Sequence, residues 1–86
     1  MALKILGAAD DVLEKIEAAI RAALPESLVQ VKAGGAGHFE VSVVAEAFRG
    51  KSMVQQHQLV YGAIAPLMAG DAPPVHAIDR LQTKAP

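Results

Sequence analysis

Imidazole is the one borderline-soft metal ligand this chain offers. Its histidines are His38, His57 and His76, and it has no cysteine, so its own residues supply neither a disulfide nor a thiolate ligand. His38 follows the run Ala33-Gly34-Gly35-Ala36-Gly37, and His76 lies in Val75-His76-Ala77-Ile78. Both stand where strands are expected to begin. Two imidazoles are too few for a structural zinc, which takes four N or S ligands. The nearest carboxylates, Glu40 and Asp79, are only loosely placed by the pattern. These residues suit half of a metal site, completed by another molecule.

His57 stands apart. It is flanked by Gln55, Gln56 and Gln58 at an expected junction of two helices, and reads as structural, capping a carbonyl or filling the space between those helices. Ser27, Ser42 and Ser52 lack a nucleophile elbow or any base defined by sequence. The glycine run lacks the Lys-Ser/Thr of a phosphate loop and leads into a strand where such a loop would open a helix. These features point away from an enzyme. Arg49, Lys51, Ser52, Gln56 and His57 form a polar stretch that could contact nucleic acid or a protein partner, with a helix N-terminus assisting. Two cations give only a weak, salt-sensitive contact. A net charge of −1 supplies no general field for nucleic acid or anionic lipid.

The elements that position these residues follow from periodicity. Asp10 and Asp11 are expected to cap a helix over 10–24, with Asp11 and Glu14 at capping-box spacing. Val12, Leu13, Ile16, Ala19, Ile20, Ala23 and Leu24 form its apolar stripe, and Pro25 stops it. Strands are expected from Leu28 to Lys32 and from His38 to Ala45. In the second, Phe39, Val41, Val43 and Ala45 face one side, and His38, Glu40 and Ser42 the other. Gly50 suits a turn at Arg49-Gly50-Lys51. Ser52 can cap a short helix through Gln56, followed by a longer helix from His57 to Ala69 that Pro66 would disturb. A last strand runs from Val75 to Thr83.

The first two strands, joined by a loop, should be antiparallel. The second and third are separated by residues 46–74, room for a right-handed crossover between parallel strands. If they are neighbours, their N-terminal ends share one edge of the sheet, and His38 and His76 approach each other.

Eighty-six residues fit one domain that buries roughly 60–65% of its unfolded surface. A hydrophobic share of 52% suffices for a core, and an aromatic share of 3% makes that core aliphatic. Met1 to Gly7 lacks the apolar stretch of a signal peptide, and no run reaches the ~18 apolar residues of a transmembrane helix. A soluble cytoplasmic protein is expected.

Taken together, Val43-Val44-x-x-x-Phe48-x-Gly50-x-Ser52, Gln56-His57-Gln58-x-Val60-Tyr61 and Val75-His76-Ala77-Ile78 with Thr83 resemble the BolA-like proteins, the BolA/IbaG type most of all. The resemblance implies residues 1–9 as an N-terminal extension and 10–86 as a single domain. It implies an α+β fold of the class II KH kind, αββααβ, with helices packed on one face of a three-stranded mixed sheet. It also implies a non-enzymatic adaptor in iron–sulfur cluster trafficking or iron homeostasis, monomeric or weakly dimeric when alone. Its partner would be a monothiol glutaredoxin sharing a bridging 2Fe–2S cluster. The glutaredoxin cysteine and glutathione would supply sulfur. The family's C-terminal histidine falls on His76, and the ligand of its variable loop falls on His38. A helix-turn-helix-like region from Phe48 to Tyr61 underlies the family's other role, DNA-binding transcriptional regulation. Here the chain departs from its relatives: Gln56 stands where many have a basic residue, and the helical GxxG loop of nucleic-acid-binding KH modules is missing.

Overall fold

The computed structural model describes residues 8–86, with side chains from residue 11 onward. The start read from residues 1–7 and the capping role of the Asp10 side chain lie outside what is described. The elements are α1 (Ala8–Ala23), β1 (Leu28–Ala33), β2 (His38–Val44), α2 (Met53–Ile64) and β3 (Ala77–Lys84), with 3-10 turns at Glu46–Phe48 and Ala65–Leu67.

The apolar stripe of α1 buries Val12, Ile16 and Ile20, with Leu24 just beyond the helix. The helix starts earlier than its capping pattern suggests. Asp11 is therefore inside it and pairs with Lys15 one turn on, at 3.2 Å. It does not cap. After Pro25 the chain reverses through Glu26, whose φ of 65° is in the left-handed region.

The sheet has the order β1-β2-β3. β1 and β2 are antiparallel, Leu28↔Val44 through Ala33↔Phe39, and β2 and β3 are parallel, His38↔Ala77 through Val44↔Lys84. One face carries Val29, Phe39, Val41, Val43 and Thr83 into the core, where Ile16 and Ile20 of α1 and Val60 and Ile64 of α2 cover them. Each such aliphatic contributes about 1.5–3 kcal/mol by leaving water. The other face exposes Gln30, Lys32, Glu40, Arg80 and Gln82. There Glu40 sits between two cations, opposite Lys32 on one side and Arg80 on the other.

β3 contains one irregularity that its own residues require. Ile78 pairs with Phe39 and Leu81 with Val41, and both pack against the core. In a regular strand, residues three apart point to opposite faces. The register therefore shifts between Phe39 and Glu40, Asp79 becomes an extra unpaired residue, and Arg80 pairs with Glu40. This bulge keeps both Asp79 and Arg80 out of the core.

The two later helices expected at 52–56 and 57–69 are one helix and a 3-10 turn. Ser52 starts α2 with a reciprocal cap: its Oγ accepts from the Gln55 N–H (3.2 Å), and its own N–H donates to Gln55 Oε1 (3.0 Å). Nothing between Gln56 and His57 breaks a helix, so it runs on to Ile64. Pro66 then falls in the first turn of the 3-10 segment, where its missing N–H leaves nothing unsatisfied. The helix-turn-helix-like region accordingly has a single 3-10 turn as its first limb. Val75, fully buried, donates its N–H to Leu67 O (3.1 Å) and anchors the approach to β3, which begins at Ala77, two residues after the expected start.

Removing the cap hydroxyl with Ser52→Ala should cost about 1 kcal/mol. In urea unfolding the midpoint should fall while the slope stays the same.

Candidate metal-ligand site

The glycine run is an ordered turn. The His38 N–H donates to Gly35 O (2.9 Å), and the Gly34 N–H donates back to His38 O (2.8 Å). Gly37 holds φ = +74°, the left-handed conformation that glycine adopts without a Cβ penalty. Its carbonyl accepts two hydrogen bonds, from the N–H groups of His76 (2.8 Å) and Ala77 (3.1 Å). One peptide thus ties the chain beside His38 to the chain at His76. The shared sheet edge expected from topology is present, with His76 one residue before β3.

The two imidazoles are held differently. The His76 ring lies over Gly37 so closely that a Cβ there would stand 2.7 Å from its Cγ and 2.9 Å from its Nδ1. The His38 ring is half-buried, and its Nδ1 lies 2.9 Å from Asp79 Oδ1. The bulge turns Asp79 toward His38, where the two form an exposed pair. Glu40 lies on the outer face among Lys32 and Arg80. Beside the histidines, the glycine turn rims an apolar cleft of about 470 Å³ lined also by Val12, Phe39 and Pro74. Among the described residues, no group of three or more His, Cys, Asp or Glu is arranged to hold a metal ion.

The other candidates are scattered into structural contacts around α2. Arg49 binds Glu46 with two hydrogen bonds (2.7 and 3.1 Å) and reaches Pro86 O (3.0 Å). The hydrogen bond from Arg49, opposed by desolvation and aided by its charge, holds the Glu46 carboxyl below its usual range. The same partner raises Arg49. Gln56 Nε2 donates to Lys51 O (3.0 Å), and Gln56 Oε1 accepts from Thr83 Oγ1 (2.8 Å). This bridge joins the turn before α2 to β3. His57 is inside α2, not at a helix junction; it is half-buried facing Met53, Leu81 and Thr83, and its buried Nε2 has no hydrogen-bond partner. With them it lines an open cleft of about 540 Å³ between α2 and β3.

Sequence reasoning named Asp79 only as one of two loosely placed carboxylates and missed Gly37 as part of the histidine end. The signal for Asp79 was the odd spacing of Ile78 and Leu81 around two charges. Gly37 carried no signal beyond its place in a glycine run, because its contact with His76 is tertiary.

Together these features define a small α+β module with a mixed sheet covered on one side and a two-histidine end. A family model described as BolA-like protein matches residues 14–86, and the chain belongs to that family. It is 39% identical over 84 residues to mouse BolA-like protein 1, a match covering 83% of this chain and 58% of that relative's length. The chain thus spans less than two thirds of that protein. The solution structure of mouse BolA1 superposes with a TM-score of 0.70 at 34% identity, covering 100% of this chain and 76% of that one. A bolA homologue from Coxiella burnetii gives 0.67 at 31% identity, covering 95% and 94%. Among the described residues, no helix is long and apolar enough to cross a membrane.

Gly37→Ala places a methyl in the His76 ring and strains φ, so it should lose about 1 kcal/mol or more and move the His76 ring resonances. Gly35→Ala, where a Cβ meets nothing within 4 Å, should leave those resonances in place.

Proposed function

We propose that this chain is a non-enzymatic adaptor that binds a monothiol glutaredoxin and co-ligates a bridging 2Fe–2S cluster through His38 and His76. Its work would be iron–sulfur cluster trafficking or iron homeostasis. One observation carries the reading: the Gly37 peptide joins the two histidine segments at one end of the sheet. Family membership adds to it. The donor set fits half of such a cluster. In a 2Fe–2S centre two imidazoles can replace two thiolates on one iron, and this raises the potential. This chain has no sulfur ligand of its own, so the remaining ligands would come from the glutaredoxin cysteine and glutathione. When bound, the cluster supplies one-electron chemistry and transferable iron and sulfide. His38 and His76 would hold it, and the apolar cleft beside them would receive the partner's rim. The Arg49–Glu46 pairing takes one of the two cations of the 49–52 turn away from phosphate, which favours a protein partner over DNA.

The test mixes the protein with a cluster-loaded monothiol glutaredoxin and follows visible absorption and circular dichroism. Wild type should change the cluster spectrum on complex formation. His38→Ala and His76→Ala should each give a spectrum different from wild type, while His57→Ala should reproduce the wild-type bands. Spectra unaffected by both ligand substitutions would remove the assignment.

A further inference from the structure

Asp79 is placed by a bulge, and a residue outside the regular ladder calls for its own explanation. Among the described residues its carboxylate makes one side-chain hydrogen bond, with the imidazole of His38. An ionised carboxylate only accepts hydrogen bonds, so at this contact Nδ1 must carry the proton. Nε2 of the neutral ring is then the nitrogen with a free lone pair. A free neutral imidazole in water prefers the opposite arrangement, with the proton on Nε2. Asp79 therefore selects the less common tautomer as well as the direction of the ring.

We propose that Asp79 is the positioning residue of the half-site: its carboxylate fixes His38 as the Nδ1–H tautomer and presents Nε2 to the shared ligand. Ligating histidines commonly donate their other ring N–H to a carboxylate, which orients the ring and raises its basicity. The two histidines then differ in how they are made ready. His76 is set by van der Waals contact with Gly37 and makes no side-chain hydrogen bond among the described residues. His38, at the end of an exposed glycine turn, has no such wall and depends on a charged neighbour. The anion beside His38 also enters the electrostatics of whatever is bound there. It favours the more positive, oxidised state of a redox group and so lowers its potential.

The role of Asp79 toward the cluster rests on the function proposed above; the tautomer does not, and it is measured in the free protein. Long-range ¹H–¹⁵N correlation spectra, recorded at a pH where imidazoles are neutral, should show Nδ1 of His38 protonated in wild type. Asp79→Asn retains an accepting oxygen and should keep that tautomer. Asp79→Ala should return His38 mainly to the Nε2–H form, while His57 and His76 stay unchanged. In the cluster-bearing complex with glutaredoxin, both substitutions remove the anion and should raise the midpoint potential. Asp79→Ala should in addition weaken the complex by about 10–100-fold. Finding Nε2 protonated on His38 in wild type, or no change in Asp79→Ala, would overturn the proposal. If His38→Ala leaves the cluster spectrum untouched while Asp79→Ala still switches the tautomer, the cluster reading fails and the tautomer lock stands.

Discussion

Parallel pairing of β2 with β3 is the constraint on which everything at the histidine end depends. A parallel pair cannot be made by a tight turn, so the chain must leave the sheet, cross its covered face as α2 and return. The return brings residue 76 beside residue 37, and the Gly37 carbonyl closes the join by accepting two N–H groups. Neither histidine segment is local to the other in sequence. Their proximity is a property of the folded sheet alone, and the unfolded chain offers no comparable donor pair. The closeness of the two histidine segments is in this way coupled to folding.

The crossover is itself fastened at several points. Ser52 and Gln55 cap α2, Gln56 bridges the Lys51 carbonyl and the Thr83 hydroxyl, and Val75 is buried against the end of the helix. These contacts lie mostly at the opposite end of β3 from His76. The strand is thus fixed to the helix at one end and to the glycine turn at the other. Residues that looked suited to outside contact, Ser52 and Gln56 in particular, are engaged by the chain's own polar groups. A polar run on a helix is ambiguous in sequence for this reason: the side chains that would meet a partner and those that cap and bridge are of the same types.

Much of this arrangement was legible beforehand. The stripe from Val12 to Leu24, the alternation of Phe39, Val41 and Val43 against Glu40 and Ser42, the turn at Gly50 and the cap at Ser52 are local patterns, and local physics sets them. The parallel sense of β2 and β3 followed from the length of the crossover, whereas their being neighbours is given by the fold. What was not legible depended on contacts across the fold. α2 was expected in two pieces because the run Gln55-Gln56-His57-Gln58 shows no apolar period. Its continuity comes from the capping box before it and from burial of Val60 and Ile64 after it. Asp79 read only as a loosely placed carboxylate, because its partner lies 41 residues away. The helix-turn-helix likeness named a motif whose first limb proved to be one turn.

The bulge at Asp79 also works as a phase joint between two parts of β3 that answer to different demands. Upstream, Ala77 and Ile78 are locked to Gly37 and Phe39; downstream, Leu81 and Thr83 are locked to Val41 and Val43 and, through Thr83, to Gln56. Deleting one residue there would either invert every downstream side chain or drag His76 out of its seat over Gly37. Exchanging the residue alters only what His38 feels. The geometry thus tolerates substitution at this position but not insertion or deletion. The surroundings of His38 can be changed one side chain at a time without disturbing the frame that carries it.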